Sequence, residues 1–84
     1  MQRAAHVAWQ QVGDGVVVVD LKQHTATAFN DTGALVWIKL GEQTPGEIAD
    51  HLVKEFGVAP ERALADVESF LTGLASLGLI ESDP

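Results

Sequence analysis

The segment that most restricts the fold is a run of four valines, Val16–Val19. Because β-branched side chains prefer the extended backbone, this run predicts a strand. Gly13–Gly15 directly precedes the valine run, and its residues tolerate the positive φ angles of a tight hairpin turn. The preceding segment His6–Val12 alternates in side-chain character and places Val7 and Trp9 on one face. The two segments are therefore predicted to pair as an antiparallel hairpin.

A third strand is predicted at His24–Phe29, after a polar turn. On this strand Thr25, Thr27 and Phe29 lie on one side, and Ala26 and Ala28 lie on the other. A meander of three strands is not closed, so at least one edge keeps unpaired backbone N–H and C=O groups. We assign that free edge to the third strand.

The rest of the chain predicts three helices. Asn30 is placed to cap the first helix, over residues 31–40. Thr44–Glu47 forms a capping box with proline at the first helical position, and it opens the second helix. Pro60 begins the third helix, whose predicted apolar stripe consists of Leu64, Val67, Leu71 and Leu74.

Three strands followed by three helices predict an α+β domain, with one antiparallel sheet packed against helices. The length of 84 residues predicts a single domain spanning residues 1–84. Trp37 is expected in the core, and Trp9 in the core or half-buried. Val17 and Val19 share one face of the second strand, and Val16 and Val18 lie on the opposite face. An alternative role for the protein is self-association into a homodimer through Val16 and Val18.

The charge excludes one large class of function. Twelve acidic and five basic residues give a net charge of −7, with no cluster of Lys or Arg. Nucleic-acid binders normally carry a basic face, because neutralising phosphates supplies most of their affinity. A neutral or basic peptide is the better electrostatic match. The longest apolar run is too short to span a bilayer and the first residues lack the apolar core of a signal peptide, so we expect a cytoplasmic protein that does not contact membranes.

The residue types needed for catalysis are not arranged in any known pattern. The chain has no cysteine, which removes thiolate metal sites and cysteine nucleophiles. Its three histidines, His6, His24 and His51, lack the spacing of a helical metal site. We therefore predict a protein that is not an enzyme and that needs neither a cofactor nor a metal.

Taken in order, the motifs of the chain resemble the PqqD family. They are Val7-Ala8-Trp9, the valine run ending in Asp20-Leu21, Phe29 to Ala34 with Trp37 after it, Thr44 to Ile48, and Asp66 to Leu74 leading to Gly78-Leu79-Ile80. The resemblance covers nearly the whole chain, from about Val7 to Ile80.

The resemblance implies a winged-helix-like fold that binds the leader segment of a ribosomally made precursor peptide and hands it to a modifying or processing enzyme. The leader would lie as an extra strand along the third strand, in the cleft beside the third helix. The motif from Asn30 to Trp37 is most similar to that of free-standing leader-binding proteins of lasso-peptide pathways. This similarity implies a leader peptidase as the enzyme partner. The alternatives are a PqqD-like chaperone that serves a radical SAM enzyme and a structural or oligomerisation domain.

Strand addition predicts both the backbone and the side-chain contacts, because the main chain supplies affinity and pockets supply specificity. The backbone donors and acceptors are expected on Thr25, Ala26, Thr27, Ala28 and Phe29. On the third helix, Ala63, Asp66 and Phe70 lie on one flank at spacings that line the cleft. We expect Val67 and Phe70 to wall an apolar pocket and Asp66 to bind a polar or cationic group beside it.

Overall fold

The structure is a computed structural model, and it describes residues 1–81. Its elements are β1 (Gln2–Arg3), β2 (Val7–Val12), β3 (Gly15–Asp20), β4 (Thr25–Phe29), α1 (Asp31–Lys39), α2 (Pro45–Phe56), α3 (Pro60–Ser76) and β5 (Ile80–Glu81). The predicted first, second and third strands are thus β2, β3 and β4, and they are followed by the three predicted helices. The α+β class is confirmed. The last part of the predicted domain range, residues 82–84, lies outside the described residues.

The main sheet is an antiparallel meander in the order β2-β3-β4. A two-residue turn joins β2 to β3, where Val12 pairs with Gly15 and Gly13 has a φ of 59°. The loop from β3 to β4 is held by Asp20, whose Oδ1 accepts hydrogen bonds from the backbone N–H groups of Lys22 at 2.9 Å and Gln23 at 3.0 Å. These two turns fix the register of all three strands.

The side of the valine run that packs against the helices is the one that was predicted to be free for self-association. Val16 and Val18 are each 1% exposed and lie in the core, whereas Val17 and Val19 are half-buried on the outer face. The prediction that Val16 and Val18 are available for self-association is therefore wrong. Four consecutive valines carry no alternation that distinguishes their two faces, so the choice depends on what packs against the sheet.

The helices cover the inner face of the sheet, and the predicted caps at the starts of α1 and α2 are confirmed. Asn30 Oδ1 accepts a hydrogen bond from Gly33 N–H at 3.2 Å, which fixes the start of α1 next to the end of β4. In α2, Thr44 and Glu47 make the two reciprocal bonds of a capping box, 3.2 and 2.9 Å long. The Thr44 hydrogen bonds hold the pKa of the Glu47 carboxyl below its ordinary value.

Trp37 is confirmed as the centre of the core, with none of its side chain exposed. Two other predicted core positions differ. Leu64 is 44% exposed, and Ala63 takes its place in the buried stripe of α3, because both residues lie within one turn of Val67 and packing selects between them. Trp9 is 39% exposed; its ring stands nearly perpendicular to that of Trp37, with centroids 6.4 Å apart, and the Arg3 guanidinium lies over it at 4.8 Å.

A second, two-stranded sheet joins the two ends of the described chain and has no counterpart in the sequence prediction. β1 pairs with β5 in antiparallel fashion. From β1, the Arg3 guanidinium donates hydrogen bonds to the carbonyls of Trp37 at 2.7 Å and Ile38 at 3.0 Å, in the last turn of α1. Burial lowers the pKa of Arg3, although the group stays charged at any physiological pH. Through Arg3, β1 therefore braces the helix that begins beside β4.

Candidate functional site

The strand order β2-β3-β4 leaves β2 and β4 as the two edges of the main sheet, and β4 is the edge that lies next to α1 and α3. Antiparallel strands alternate between residue pairs that exchange hydrogen bonds and pairs that do not. Leu21 N–H donates to the His6 carbonyl at 2.9 Å, and the two-residue turn closes at Val12 and Gly15. The odd-numbered residues of β3 therefore bond to β2, and its even-numbered residues bond to β4.

This alternation identifies the backbone groups that remain unpaired in β4. The even-numbered residues of β3 are registered with Thr25, Thr27 and Phe29, whose N–H and C=O groups point into the sheet. The N–H and C=O groups of Ala26 and Ala28 consequently point away from the sheet. The backbone groups of Thr25, Thr27 and Phe29, which the sequence also suggested as partners of the leader, are turned towards β3 and are not available to a guest strand.

A groove with a volume of about 620 Å³ begins at the end of this edge. It lies between the last residues of β4, the first turns of α1 and one flank of α3. Its lining residues are Ala28, Phe29, Asn30, Thr32, Gly33, Val36, Leu52, Val58, Arg62, Asp66 and Phe70. The free backbone of β4 and a groove on the helices are thus continuous at Ala28.

Two phenylalanines join the strand to the helix within the groove. The Phe29 and Phe70 rings pack edge to face, with centroids 4.9 Å apart and planes inclined by 73°. Such aromatic pairs add about 0.5–1.5 kcal/mol beyond the area that they bury. Both side chains are half-buried, so each keeps a surface towards the groove. Phe70 therefore lies where an apolar wall was predicted.

The mouth of the groove carries one charge of each sign. Asp66 Oδ2 lies 3.6 Å from Arg62 Nη2, one helical turn away, and the Asp66 side chain is 44% exposed. An ion pair this accessible to water contributes little to stability, about 0–1 kcal/mol. Both side chains are consequently free to exchange their mutual contact for contacts with a ligand.

Ala63 and Val67 do not line the groove, although the sequence suggested them. They are 1% and 0% exposed and pack into the core cluster together with Leu71 and Leu74. A bound chain would find no surface on them in this conformation. Among the predicted site residues, the structure brings together Ala28, Phe29, Asp66 and Phe70, with Thr25, Ala26 and Thr27 further along β4.

Sequence reasoning missed the part of the groove formed by the first turns of α1 and by the segment before α3. Asn30, Thr32 and Gly33 were interpreted only as a helix start. Their position directly after the edge strand is the signal that could have placed them at the site. Val58 and Arg62 carry no comparable signal, because their place in the groove depends on how α2 and α3 pack together.

Within residues 1–81, no three His, Asp or Glu side chains gather into a set able to hold a metal ion. None of the helices in this range is long and apolar enough to cross a membrane.

The chain matches one family model, described as coenzyme PQQ synthesis protein D (PqqD), over residues 15–80. Among solved structures, "TbiB1 in Complex with the TbiA(beta) Leader Peptide" superimposes with a TM-score of 0.90 at 28% sequence identity, covering 100% of this chain and 99% of that one. "Lasso peptide synthetase B1 complexed with the leader peptide" has a TM-score of 0.88 at 24% identity, with 96% of each chain covered, and shows the shared fold. Among curated proteins, none matches the sequence.

Proposed function

The chain belongs to the PqqD family, and from this premise we propose that it binds the leader segment of a ribosomally made precursor peptide. The leader adds as a strand to the edge of β4 and continues into the groove beside α3. This is the binding mode expected from the family resemblance, and it agrees with the geometry of the edge. The similar TbiB1 structure, which is a complex with a leader peptide, supports leader binding as the function.

The observation that carries the proposal is the free backbone of Ala26 and Ala28 next to a groove lined by Phe29 and Phe70. An added strand would pair with two N–H and two C=O groups that the sheet leaves open. The exposed alanine side chains allow another chain to approach closely. Past Ala28, side chains of the guest would enter the groove, where the aromatic pair supplies an apolar surface and Asp66 a polar one.

The charge of the protein favours guests of a particular composition. A net charge of −7 repels acidic peptides and attracts basic ones at low ionic strength. Arg62 and Asp66 at the groove mouth offer one partner for each sign of charge. A leader that places an apolar side chain in the groove and a cationic or polar one beside it fits these groups.

We further propose that the bound leader is presented to an enzyme, and that the enzyme is the leader peptidase of a lasso-peptide pathway. Support comes from the PqqD family membership and from the similarity to TbiB1. On this proposal the protein acts as a separate recognition subunit and performs no chemistry itself.

The direct test of leader binding is fluorescence polarisation with fluorescein-labelled leader peptides. The set should contain the TbiA(beta) leader and the leaders of short precursor genes found beside the gene of this protein. We expect saturable binding of at least one leader, and no binding of the same peptide with its residues scrambled. Equal binding of leader and scrambled peptide would contradict the proposal.

Presentation to an enzyme needs a separate experiment. A leader peptidase encoded beside the protein should cleave its precursor faster when this protein is present, and the excess rate should disappear when free leader peptide competes. A cleavage rate that is independent of the protein would contradict the peptidase assignment and leave leader binding intact.

A further inference from the structure

Gly33 occupies an unusual place, because it lies in the helical first turns of α1 directly beneath the aromatic pair of the groove. A Cβ atom built on Gly33 would lie 3.1 Å from Phe29 Cβ, 3.2 Å from Phe70 Cζ and 3.4 Å from Phe70 Cε2. Carbon atoms in good contact are about 3.5–4.0 Å apart. No side chain fits at this position unless one of the two phenylalanines moves.

The backbone conformation of Gly33 does not itself call for glycine. Its φ angle is not among the positive ones, which within residues 1–81 occur at Gly13, His24, Gly41, Gly57 and Gly78. Glycine inside a helix is unfavourable relative to alanine, because the unfolded chain gains more freedom from it. Space for the aromatic pair is therefore the physical reason for glycine here.

Of the two phenylalanines, Phe70 is the one that can give way. Phe29 Cβ is attached to the backbone of β4, which is held in register by Val16. The Phe70 atoms nearest to Gly33 are at the tip of a half-buried ring that rotates about its side-chain bonds. A methyl group on residue 33 would accordingly displace the Phe70 ring from its seat beside Gly33 and Phe29 by a few tenths of an ångström.

We propose that Gly33 is a positioning residue for the peptide groove. By having no side chain, it allows the Phe70 ring to seat against Phe29 and keeps the groove wide enough for a guest side chain. Gly33 acts through Phe70 and does not itself need to contact the guest. This inference rests on the proposed peptide binding, and it adds a determinant of which side chains the groove accepts.

Gly73 provides a matched control in the same fold. It also lies inside a helix, α3, and a Cβ atom built on it meets nothing within 4 Å. Gly33→Ala and Gly73→Ala therefore add the same methyl group and the same gain in helix propensity. They differ in the space around that methyl group, which is crowded at position 33 and open at position 73.

The test measures the Kd of the fluorescein-labelled TbiA(beta) leader peptide for Gly33→Ala, Gly73→Ala, Phe70→Leu and the double variant Gly33→Ala/Phe70→Leu. We expect Gly33→Ala to weaken binding about tenfold, the scale of one misfitted apolar group, and Gly73→Ala to bind like the wild type. With Leu at position 70 the two ring contacts of the added methyl are removed and only its contact with Phe29 Cβ remains. Gly33→Ala should therefore raise the Kd clearly less in that background than in the wild type. Wild-type affinity of Gly33→Ala, or an equal loss in both backgrounds, would overturn the inference.

A second measurement needs no peptide. In a nuclear Overhauser spectrum of the free protein, contacts between the Phe29 and Phe70 rings should weaken in Gly33→Ala and persist in Gly73→Ala. Unchanged contacts in Gly33→Ala would overturn the inference even where the affinity falls. If the folded wild type binds no leader peptide, the proposed function fails, whereas wild-type binding with an unaffected Gly33→Ala variant refutes the role of Gly33 alone.

Discussion

Proline at position 28 tests strand addition at the level of a single backbone group. The N–H of Ala28 points away from β3, so the Ala28→Pro substitution removes no hydrogen bond of the sheet. Proline is tolerated on edge strands where the N–H faces solvent. The variant should fold and should retain a cooperative thermal transition.

The expected loss of affinity follows from the group that the guest would leave unpaired. A guest carbonyl that is buried in the interface without its donor costs about 1–3 kcal/mol. Because each 1.4 kcal/mol corresponds to about a factor of ten, the Kd should rise roughly 5- to 150-fold. The proline ring would also crowd the incoming strand, so the measured loss should lie towards the upper end.

The assay is fluorescence polarisation with a labelled leader peptide, run beside two control variants. Gln11→Pro places the same ring on β2, at the other edge of the sheet, where the N–H also points outward. It should leave the Kd unchanged. Thr27→Pro removes an N–H that points into the sheet and should instead lower the thermal midpoint.

Undiminished binding by a folded Ala28→Pro variant would refute strand addition at β4. An equal loss in Gln11→Pro would contradict a specific role of the β4 edge, since proline would then weaken binding equally from either side of the sheet.

Three further predictions concern the groove, the loop before β4 and the core face of the sheet. Asp66→Ala should weaken leader binding in the polarisation assay while leaving the thermal midpoint nearly unchanged, because its contact with Arg62 is exposed to water. Hydrogen bonds from the backbone, foremost from Gln23, hold the pKa of Asp20 below its ordinary value of about 3.9, so stability is present above that value and is lost as the pH falls through the lower folded-state pKa. Thermal scans below about pH 4 should therefore show a steeper loss for the wild type than for Asp20→Asn. Val18→Ala should lower the free energy of unfolding, measured in urea, by about 2 kcal/mol, because two buried carbons are removed and a cavity remains. Val17→Ala, at a half-buried position, should lower it by less than about 1 kcal/mol.

Each of these predictions has a result that contradicts it. Glu68→Ala, an exposed acid elsewhere on α3, is the control for Asp66, and equal affinities of the two variants would make Asp66 an ordinary surface residue. Parallel acid transitions of wild type and Asp20→Asn would show that Asp20 has an ordinary pKa in the fold. Equal destabilisation by Val17→Ala and Val18→Ala would contradict the assignment of the core face.

Local signals in the sequence were sufficient for the elements and their ends. The caps at Asn30 and Thr44 are contained within four residues, so the chain close by decides them. The free edge of β4 also follows locally, because two short turns allow only a meander in which the third strand is terminal. The same turns fix which alanines of β4 point outward.

Features that depend on distant parts of the chain were not predictable in this way. The pairing of β1 with β5 joins two-residue segments from opposite ends, and such short segments carry no pattern of their own. The core face of the valine run and the choice of Ala63 over Leu64 are decided by what packs against them. The groove forms where β4, α1 and α3 meet. The sequence therefore indicated the lining residues on β4 and α3, and it missed others such as Gly33 and Val58.

Amide hydrogen exchange along β4, followed by NMR with and without a leader peptide, measures strand addition at the atoms concerned. In the free protein, the amides of Thr27 and Phe29 should exchange slowly and those of Ala26 and Ala28 quickly, because only the former are bonded to β3. On saturation with the leader, the amides of Ala26 and Ala28 should become protected. Protection that stays unchanged at these two alanines while the peptide binds, or that appears instead along the outer edge of β2, would contradict leader capture by β4.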